Sequence, residues 1–127
     1  AALANIEVIE SKGLLAHVRE MAPYFQRQLR GLAEIPLVGD VRGIGFLGCV
    51  ECATDPHAPA ATDFDKAVAL RIDRLCYENG LIVRPIGSMC VLSPALIMEK
   101  DEIDTMVSIL RDSILQVQDE IRAEDRF

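Results

Sequence analysis

Arg84 is the residue in this sequence whose type and setting best fit the recognition of a small acidic ligand. It lies in the apolar stretch LIVRPIG, where a predicted strand gives way to a Pro-Gly turn. A guanidinium presents a planar fork of donors that matches a carboxylate, so an arginine here could hold an acidic small molecule. An ion pair with a neighbouring acid, or a clamp on a backbone carbonyl, would explain the same residue structurally. The residues alone leave both interpretations open.

A second motif, Gly43-Ile44-Gly45-Phe46-Leu47-Gly48, fits the G-x-G-x-x-G pattern of dinucleotide sites. Such a site needs its third glycine to open a helix, whose free amides meet the pyrophosphate. Here Gly48 is followed by the alternating residues CVECA, which predict a strand, and the preceding residues VGDVR are typical of a polar hairpin arm. We therefore interpret the motif as a hairpin. Gly43 and Gly45 would permit its turn, and Gly48 would let a neighbouring element approach.

Metal and thiol chemistry fit this sequence poorly. Cys49 and Cys52 match C-x-x-C, but residues three apart on a strand project to opposite faces, and no second pair completes a tetrahedral site. We interpret the cysteines as reduced thiols of the core. His17 and His57 are predicted to lie on the surface, without neighbours that would mark a catalytic base.

The elements that must position Arg84 follow from the apolar spacing. The order ααββαββα predicts an α+β fold in which helices cover a small, mostly antiparallel sheet. Helix boundaries are predicted at Ser11, Leu14, the Thr62-x-x-Asp65 capping box and Asn79-Gly80. Pro23 predicts a kink or a restart within the second helix, and ATDPHAPAAT predicts an exposed loop.

Composition excludes several classes of protein. At 127 residues the chain suits one domain, and its net charge of -7 with scattered basic residues disfavours nucleic acid as a partner. No apolar run approaches the ~20 residues that cross a bilayer. We expect a cytoplasmic protein with reduced cysteines. The chain opens inside a helical pattern without a methionine, so we also expect it to be part of a larger protein.

Three stretches, AALANIEVIESKGL, VRGIGFLGCVE and YENGLIVRPIGSMCVLSPALIMEKDEID, resemble the C-terminal part of class III (subgroup II) aminotransferases, which depend on pyridoxal phosphate. This group contains the ω-amino acid:pyruvate transaminases, and the match runs in order over nearly the whole chain. The resemblance implies the small domain of a fold-type-I enzyme. Residues 1–34 would be helices leading from a missing large cofactor domain, and residues 35–127 would be the small α+β domain.

The resemblance also implies an activity and one site residue. The full enzyme, usually a homodimer, would move an amino group from an amine or ω-amino acid to a keto acid such as pyruvate. Arg84 occupies the position of the arginine that binds the substrate carboxylate in ω-transaminase relatives. The ornithine and γ-aminobutyrate branch places its arginine where this chain has Val91. Relatives that catalyse amino migration or decarboxylation share the domain, so these reactions stay open.

The chain departs from its relatives at two places and lacks the catalytic groups. Gly87-Ser88 stands where relatives often have Gly-Asp, and Glu99 replaces a helix-capping threonine. None of Lys12, Lys66 and Lys100 has a setting suited to a Schiff base. We therefore expect no catalytic, cofactor-binding or metal-binding residue in this chain, and neither activity nor bound pyridoxal phosphate for it alone. The alternative is a free-standing α+β ligand-binding or regulatory domain, in which Arg84 would hold an acidic effector.

Overall fold

The computed structural model describes residues 1–58 and 60–127, and it confirms the predicted order of elements and the α+β class. Part of the predicted loop, Pro59, lies outside the described residues. The elements are α1 (Ala2–Ser11), α2 (Leu14–Arg30), a short 3-10 helix (Gly31–Glu34), β1 (Val38–Ile44), β2 (Leu47–Cys52), α3 (Asp63–Glu78), β3 (Arg84–Ile86), β4 (Met89–Leu92) and α4 (Lys100–Ala123). Among the described helices, none combines the length and the apolar character needed to cross a membrane.

The four strands form one antiparallel sheet in the order β1-β2-β4-β3. Two hairpins, β1–β2 and β3–β4, lie side by side, and α3 connects them along the chain. α2 packs on β1 and β2, α3 packs on β2, β3 and β4, and α4 lies against both helices. The helices therefore cover one face of the sheet and leave the other face uncovered within the described residues.

The core lies between the covered face and the helices, and it follows the alternation of the strands. Along β2 and β4 every second residue is buried, and these residues share one core with the apolar stripe of α4. The largest fully buried side chains include Phe25, Leu29, Leu32, Leu37, Val50, Val68, Ile72, Ile103, Leu110, Ile114 and Ile121. α1 contributes no buried residue.

Local signals set the start of α3 and α4. The Thr62 hydroxyl accepts from the Asp65 N–H at 3.1 Å, and the Asp65 carboxylate accepts from the Thr62 N–H at 2.7 Å, which confirms the predicted capping box. α4 begins after Glu99, although glutamate is a poor cap. The Glu102 carboxylate accepts from the Glu99 N–H at 2.8 Å and satisfies one donor of the first turn.

Of the kink or restart predicted at Pro23, the restart is wrong, because α2 runs as one helix from Leu14 to Arg30. Pro23 and Arg19 are both exposed, so the Arg19 carbonyl that loses its helical partner faces water. Phe25 and Leu29, on the opposite side of the helix, are fully buried. Their packing outweighs the cost of one missing hydrogen bond.

Candidate functional site

Arg84 lies on the uncovered face of the sheet and is exposed. The register places it directly opposite Val91, so the two positions at which the resemblance implies a carboxylate-binding arginine in different branches are cross-strand neighbours. Arg84 lines a groove of about 290 Å³ between the segments Leu81–Arg84 and Val91–Pro94. Apart from the guanidinium and Ser93, the walls are mainly apolar.

The Arg84 guanidinium has neither an ion pair nor a hydrogen bond within residues 1–58 and 60–127. The structural interpretation of this residue required one of these partners. Its donors are therefore available to a ligand, and the apolar walls beside them suit a carboxylate attached to a hydrocarbon chain.

Arg42 lies on the same face and is fully engaged. Its Nη1 atom lies 2.6 Å from a carboxylate oxygen of Asp40 and 2.6 Å from one of Glu51. The hydrogen bonds that Arg42 donates, first to Glu51 and then to Asp40, raise the pKa of Arg42 above its ordinary value. The Ser88 hydroxyl donates to the other Glu51 oxygen at 3.2 Å. We call Asp40, Arg42, Glu51 and Ser88 the ion-pair cluster. It ties β1 and β2 to the turn that follows β3.

The glycine motif forms a hairpin, as predicted, and opens no helix. Gly45 has a φ of 57° in the turn between β1 and β2. A Cβ added at Gly48 would lie 2.3 Å from Leu29 Cδ1 and 3.1 Å from Phe25 Cζ. The third glycine is therefore the place where α2 approaches the strand, and the motif has a structural role.

The C-x-x-C pair is split between the two faces of β2, as the strand period predicts. Cys52 is buried on the helical side, and Cys49 is half-buried on the uncovered side opposite Arg42. Burial raises the pKa of the Cys49 thiol, and burial likewise raises that of Cys76 to about 11. A hydrogen bond with Cys52, followed by burial, raises the pKa of Cys90. These thiols are protonated at neutral pH and are not activated nucleophiles.

The prediction that His17 is a surface residue is wrong. Its side chain is only 22% exposed, Nε2 lies 2.9 Å from the Met98 carbonyl oxygen, and the ring meets Phe46 edge-on. This contact joins α2 to the segment before α4, which is 81 residues away along the chain. His57 is exposed, as predicted. Within the described ranges, no three histidine, cysteine or acidic side chains are arranged to hold a metal ion.

None of the three lysines lines the groove beside Arg84. Lys12 follows α1 and is exposed, and Lys100 is exposed with its ammonium 5.2 Å from the centre of the Tyr24 ring. Lys66 is exposed and donates to Asp63 at 2.8 Å, and this hydrogen bond raises the pKa of Lys66. A lysine that forms a Schiff base requires the opposite shift.

Comparisons with known proteins place this geometry among transaminases. The family model of class-III aminotransferases matches residues 1–114. The chain is 32% identical to putrescine–pyruvate aminotransferase of Pseudomonas aeruginosa, covering 87% of this chain and 24% of the relative. It is 35% identical to an omega-aminotransferase of Caulobacter vibrioides, covering 92% and 25%. A PLP-bound aminotransferase mutant from Vibrio fluvialis superposes with a TM-score of 0.87 at 35% identity, over 94% of this chain and 26% of that one. The chain thus spans about a quarter of the length of these proteins.

Proposed function

This chain belongs to the class-III aminotransferases, and we propose that the protein containing it moves an amino group from an amine or ω-amino acid to a keto acid such as pyruvate. The observation that carries the proposal is the family match over residues 1–114. One relative is named for putrescine and pyruvate as its substrates, which pairs a simple amine donor with a keto acid acceptor. An amine donor and a keto acid acceptor agree with a site that binds first an amine and then a carboxylate.

Arg84 is proposed to bind the carboxylate of acidic substrates. Its unpartnered guanidinium lies beside an apolar groove, which matches a molecule with a carboxylate at one end of a hydrocarbon chain. Forked hydrogen bonds to both carboxylate oxygens would fix the direction in which the substrate enters. The same contact would serve a keto acid acceptor, whereas an amine without a carboxylate would not use it.

Pyridoxal phosphate is the cofactor proposed for the whole protein, and when bound it supplies the electron sink for amino transfer. The residues of this chain do not fit the cofactor-binding role by themselves. Lys12, Lys66 and Lys100 are exposed, and no desolvated pocket surrounds any of them. We therefore propose that residues 1–127 alone bind no pyridoxal phosphate and transfer no amino group.

The remaining organisation is proposed on the same basis. Residues 1–34 would lead from a large cofactor domain into the small domain of residues 35–127, and the whole protein would be a cytoplasmic homodimer. The linking role is best supported for α1, which buries no residue here and exposes Leu3, Ile6 and Val8. α2 instead shares the core of the sheet through Phe25 and Leu29.

The test is to purify the intact protein and supply it with pyridoxal phosphate, pyruvate and a panel of amines and ω-amino acids. The proposal predicts that alanine forms from at least one donor, while the 127-residue chain forms none. Absence of amino transfer with every donor, or an intact protein without a cofactor domain, would favour the alternative of a ligand-binding or regulatory domain. Loss of CO2 or migration of the amino group within one molecule would instead identify a different reaction of the same family.

A further inference from the structure

A second basic site lies on the opposite side of the β1–β2 hairpin from the ion-pair cluster. Arg19, Arg27 and Arg30 line a groove of about 430 Å³ between α2 and the hairpin segment Gly43–Gly45. We call it the arginine groove. No acidic residue lines it, although the chain has 20 aspartates and glutamates and a net charge of -7. A cluster of positive charges on a protein with a negative net charge requires an explanation.

The three arginines are unpaired within residues 1–58 and 60–127. Of the seven arginines outside the groove, five have a carboxylate or carbonyl partner, namely Arg42, Arg71, Arg74, Arg111 and Arg126. Arg84 and Arg122 have no such partner in the described part of the chain, but neither lies in a cluster of arginines. Within the groove, Arg27 makes only a cation–π contact, with its guanidinium 5.8 Å from the centre of the Tyr24 ring. The Tyr24 hydroxyl donates a hydrogen bond to Asp104. About fifteen N–H donors, five on each arginine, are thus left to solvent or to a ligand.

The floor of the groove is fixed. The Gln26 amide, which is only 9% exposed, donates to the carbonyls of Gly45 and Leu47 at 3.0 Å each and holds the hairpin against α2. Gly43 cannot carry a side chain there, because an added Cβ would lie 2.3 Å from the Leu47 carbonyl oxygen and 2.9 Å from the Gln26 amide. The arginines therefore flank a surface of exposed backbone whose position is set by buried contacts.

A solvated helical face is the competing explanation. Cations in the last turn of a helix interact favourably with its dipole, and this accounts for Arg27 and Arg30. The dipole does not account for Arg19, which lies two turns earlier on the same face. Arg27 and Arg30 are also like charges three residues apart, which repel each other until an anion lies between them.

We propose that the arginine groove binds an elongated small polyanion that carries two or more phosphate groups. Arg27 and Arg30 are about 4.5 Å apart along the helix axis and can share one phosphate, whereas Arg19 lies about 12 Å from Arg27. Side chains of this length converge on a ligand with a second anionic group several ångströms from the first. A single phosphate would engage only one end of the groove. Forked guanidinium contacts are the usual means of holding such groups.

The test measures binding of tripolyphosphate and orthophosphate to the intact protein by isothermal titration calorimetry, with its cofactor site saturated by pyridoxal phosphate. We expect tripolyphosphate to bind at least about tenfold more tightly than orthophosphate and to weaken with added salt. Arg19→Gln, Arg27→Gln and Arg30→Gln should each weaken it by about fivefold to tenfold. The matched control is the triple variant R71Q/R74Q/R122Q, which removes the same charge from α3 and α4 and should leave binding within about twofold.

The single variants keep the test valid if a triple variant of the groove loses stability. Three results would overturn the proposal: no saturable binding of tripolyphosphate, equal loss in the groove and control variants, or binding only to vesicles of anionic phospholipid. Transaminase activity with simple amines should be unchanged in the groove variants. The site therefore stands or falls independently of the proposed function.

Discussion

Arg42 and Arg84 lie on the same uncovered face of one sheet, yet one is fully engaged and the other has no partner. Arg42 contacts the carboxylates of Asp40 and Glu51 at 2.6 Å each. Arg84, on the neighbouring hairpin, has no ion pair within residues 1–58 and 60–127. The type of side chain therefore does not decide between a structural and a binding role. The residues at the neighbouring positions of the sheet decide which of the two roles an arginine has.

The pattern of the strands explains the difference. Asp40 precedes Arg42 by two residues on the same face, and the regular register of the hairpin from Asp40 to Ile44 places Asp40 directly opposite Glu51. Two like charges in that arrangement repel, and Arg42 bridges them. Arg84 has no acidic neighbour on its face of the sheet within the described residues. Ile82 and Ile86 lie two residues away along the chain, Val91 lies opposite, and Met89 and Ser93 lie diagonally across from it. The first hairpin thus supplies its own counter-charges and the second does not.

The largest expected effect on stability comes from the covered side of the first hairpin. Gly48→Val forces its side chain into Leu29 and Phe25, which are fully buried, and should lower the free energy of unfolding by about 3 kcal/mol. Gly31→Ala is the control, because its Cβ would have only Arg111 Nη2 at 3.7 Å and Gly31 already has helical backbone angles. Thermal denaturation should place the control at or slightly above the wild-type midpoint. A smaller loss for Gly48→Val than for Gly31→Ala would show that α2 is not packed on the hairpin as described.

The next effect concerns the loop that leaves the first hairpin. Asp65 is 2% exposed and accepts four hydrogen bonds at 2.7 Å, from the backbone N–H and the hydroxyl of both Thr54 and Thr62. Burial would raise the pKa of Asp65, but the hydrogen bonds outweigh it and the pKa is lowered. Asp65→Asn should cost about 2 kcal/mol at pH 7. Asp63→Asn, at an exposed ion pair, should leave the free energy of unfolding close to that of the wild type.

The pH dependence follows from the lowered pKa of Asp65. The ionised Asp65 carboxylate stabilises the fold fully above the ordinary aspartate pKa of about 3.9, which applies to the unfolded chain. This stabilisation is lost as the pH falls through the lower pKa of the folded state. Melting temperatures of wild type and Asp65→Asn should therefore converge as the pH is lowered from 7 to about 2. A constant difference in melting temperature over this pH range would show that the ionised carboxylate of Asp65 is not the form that stabilises the fold.

A smaller effect is expected at the ion-pair cluster itself. Arg42→Gln removes the charge that separates Asp40 from Glu51 and should cost about 1 kcal/mol, with a larger loss at low salt. In Arg42→Gln/Glu51→Gln the repulsion is gone, so part of the loss should be recovered. If the double variant lost more free energy of unfolding than the two single variants lost together, repulsion between Asp40 and Glu51 would not be the reason for the bridge.

Arg84→Gln should have the smallest effect on stability, within about 0.5 kcal/mol of wild type, because no contact within the described residues is lost. Chemical denaturation of Arg84→Gln beside Arg42→Gln measures the contrast directly. Equal losses at the two positions would mean that Arg84 has a structural partner in the folded protein.

Local signals made much of this structure predictable. The Thr62–Asp65 capping box, the hairpin at the glycine motif and the split of Cys49 and Cys52 each depend on residues within a few positions of one another. His17 was missed because its acceptor, the Met98 carbonyl, comes from a distant segment. The Asp40–Glu51 pairing was not predicted either, since it depends on the exact position of the turn between Ile44 and Leu47, which sets the register of the hairpin. Arg84 could be singled out by type and setting, but its lack of a partner became visible only with the sheet assembled.

The most direct test of the account is the effect of Arg84→Ala on kcat/KM for the amino donor in the intact protein. In a ping-pong reaction this quantity reports the donor half-reaction alone, so the carboxylate of the keto acid does not disturb it. An ω-amino acid and a simple amine that the wild type accepts should be compared. We predict a loss of about 10- to 100-fold for the ω-amino acid and less than about twofold for the amine, with partial recovery in Arg84→Lys. Equal losses for both donors would contradict carboxylate recognition by Arg84.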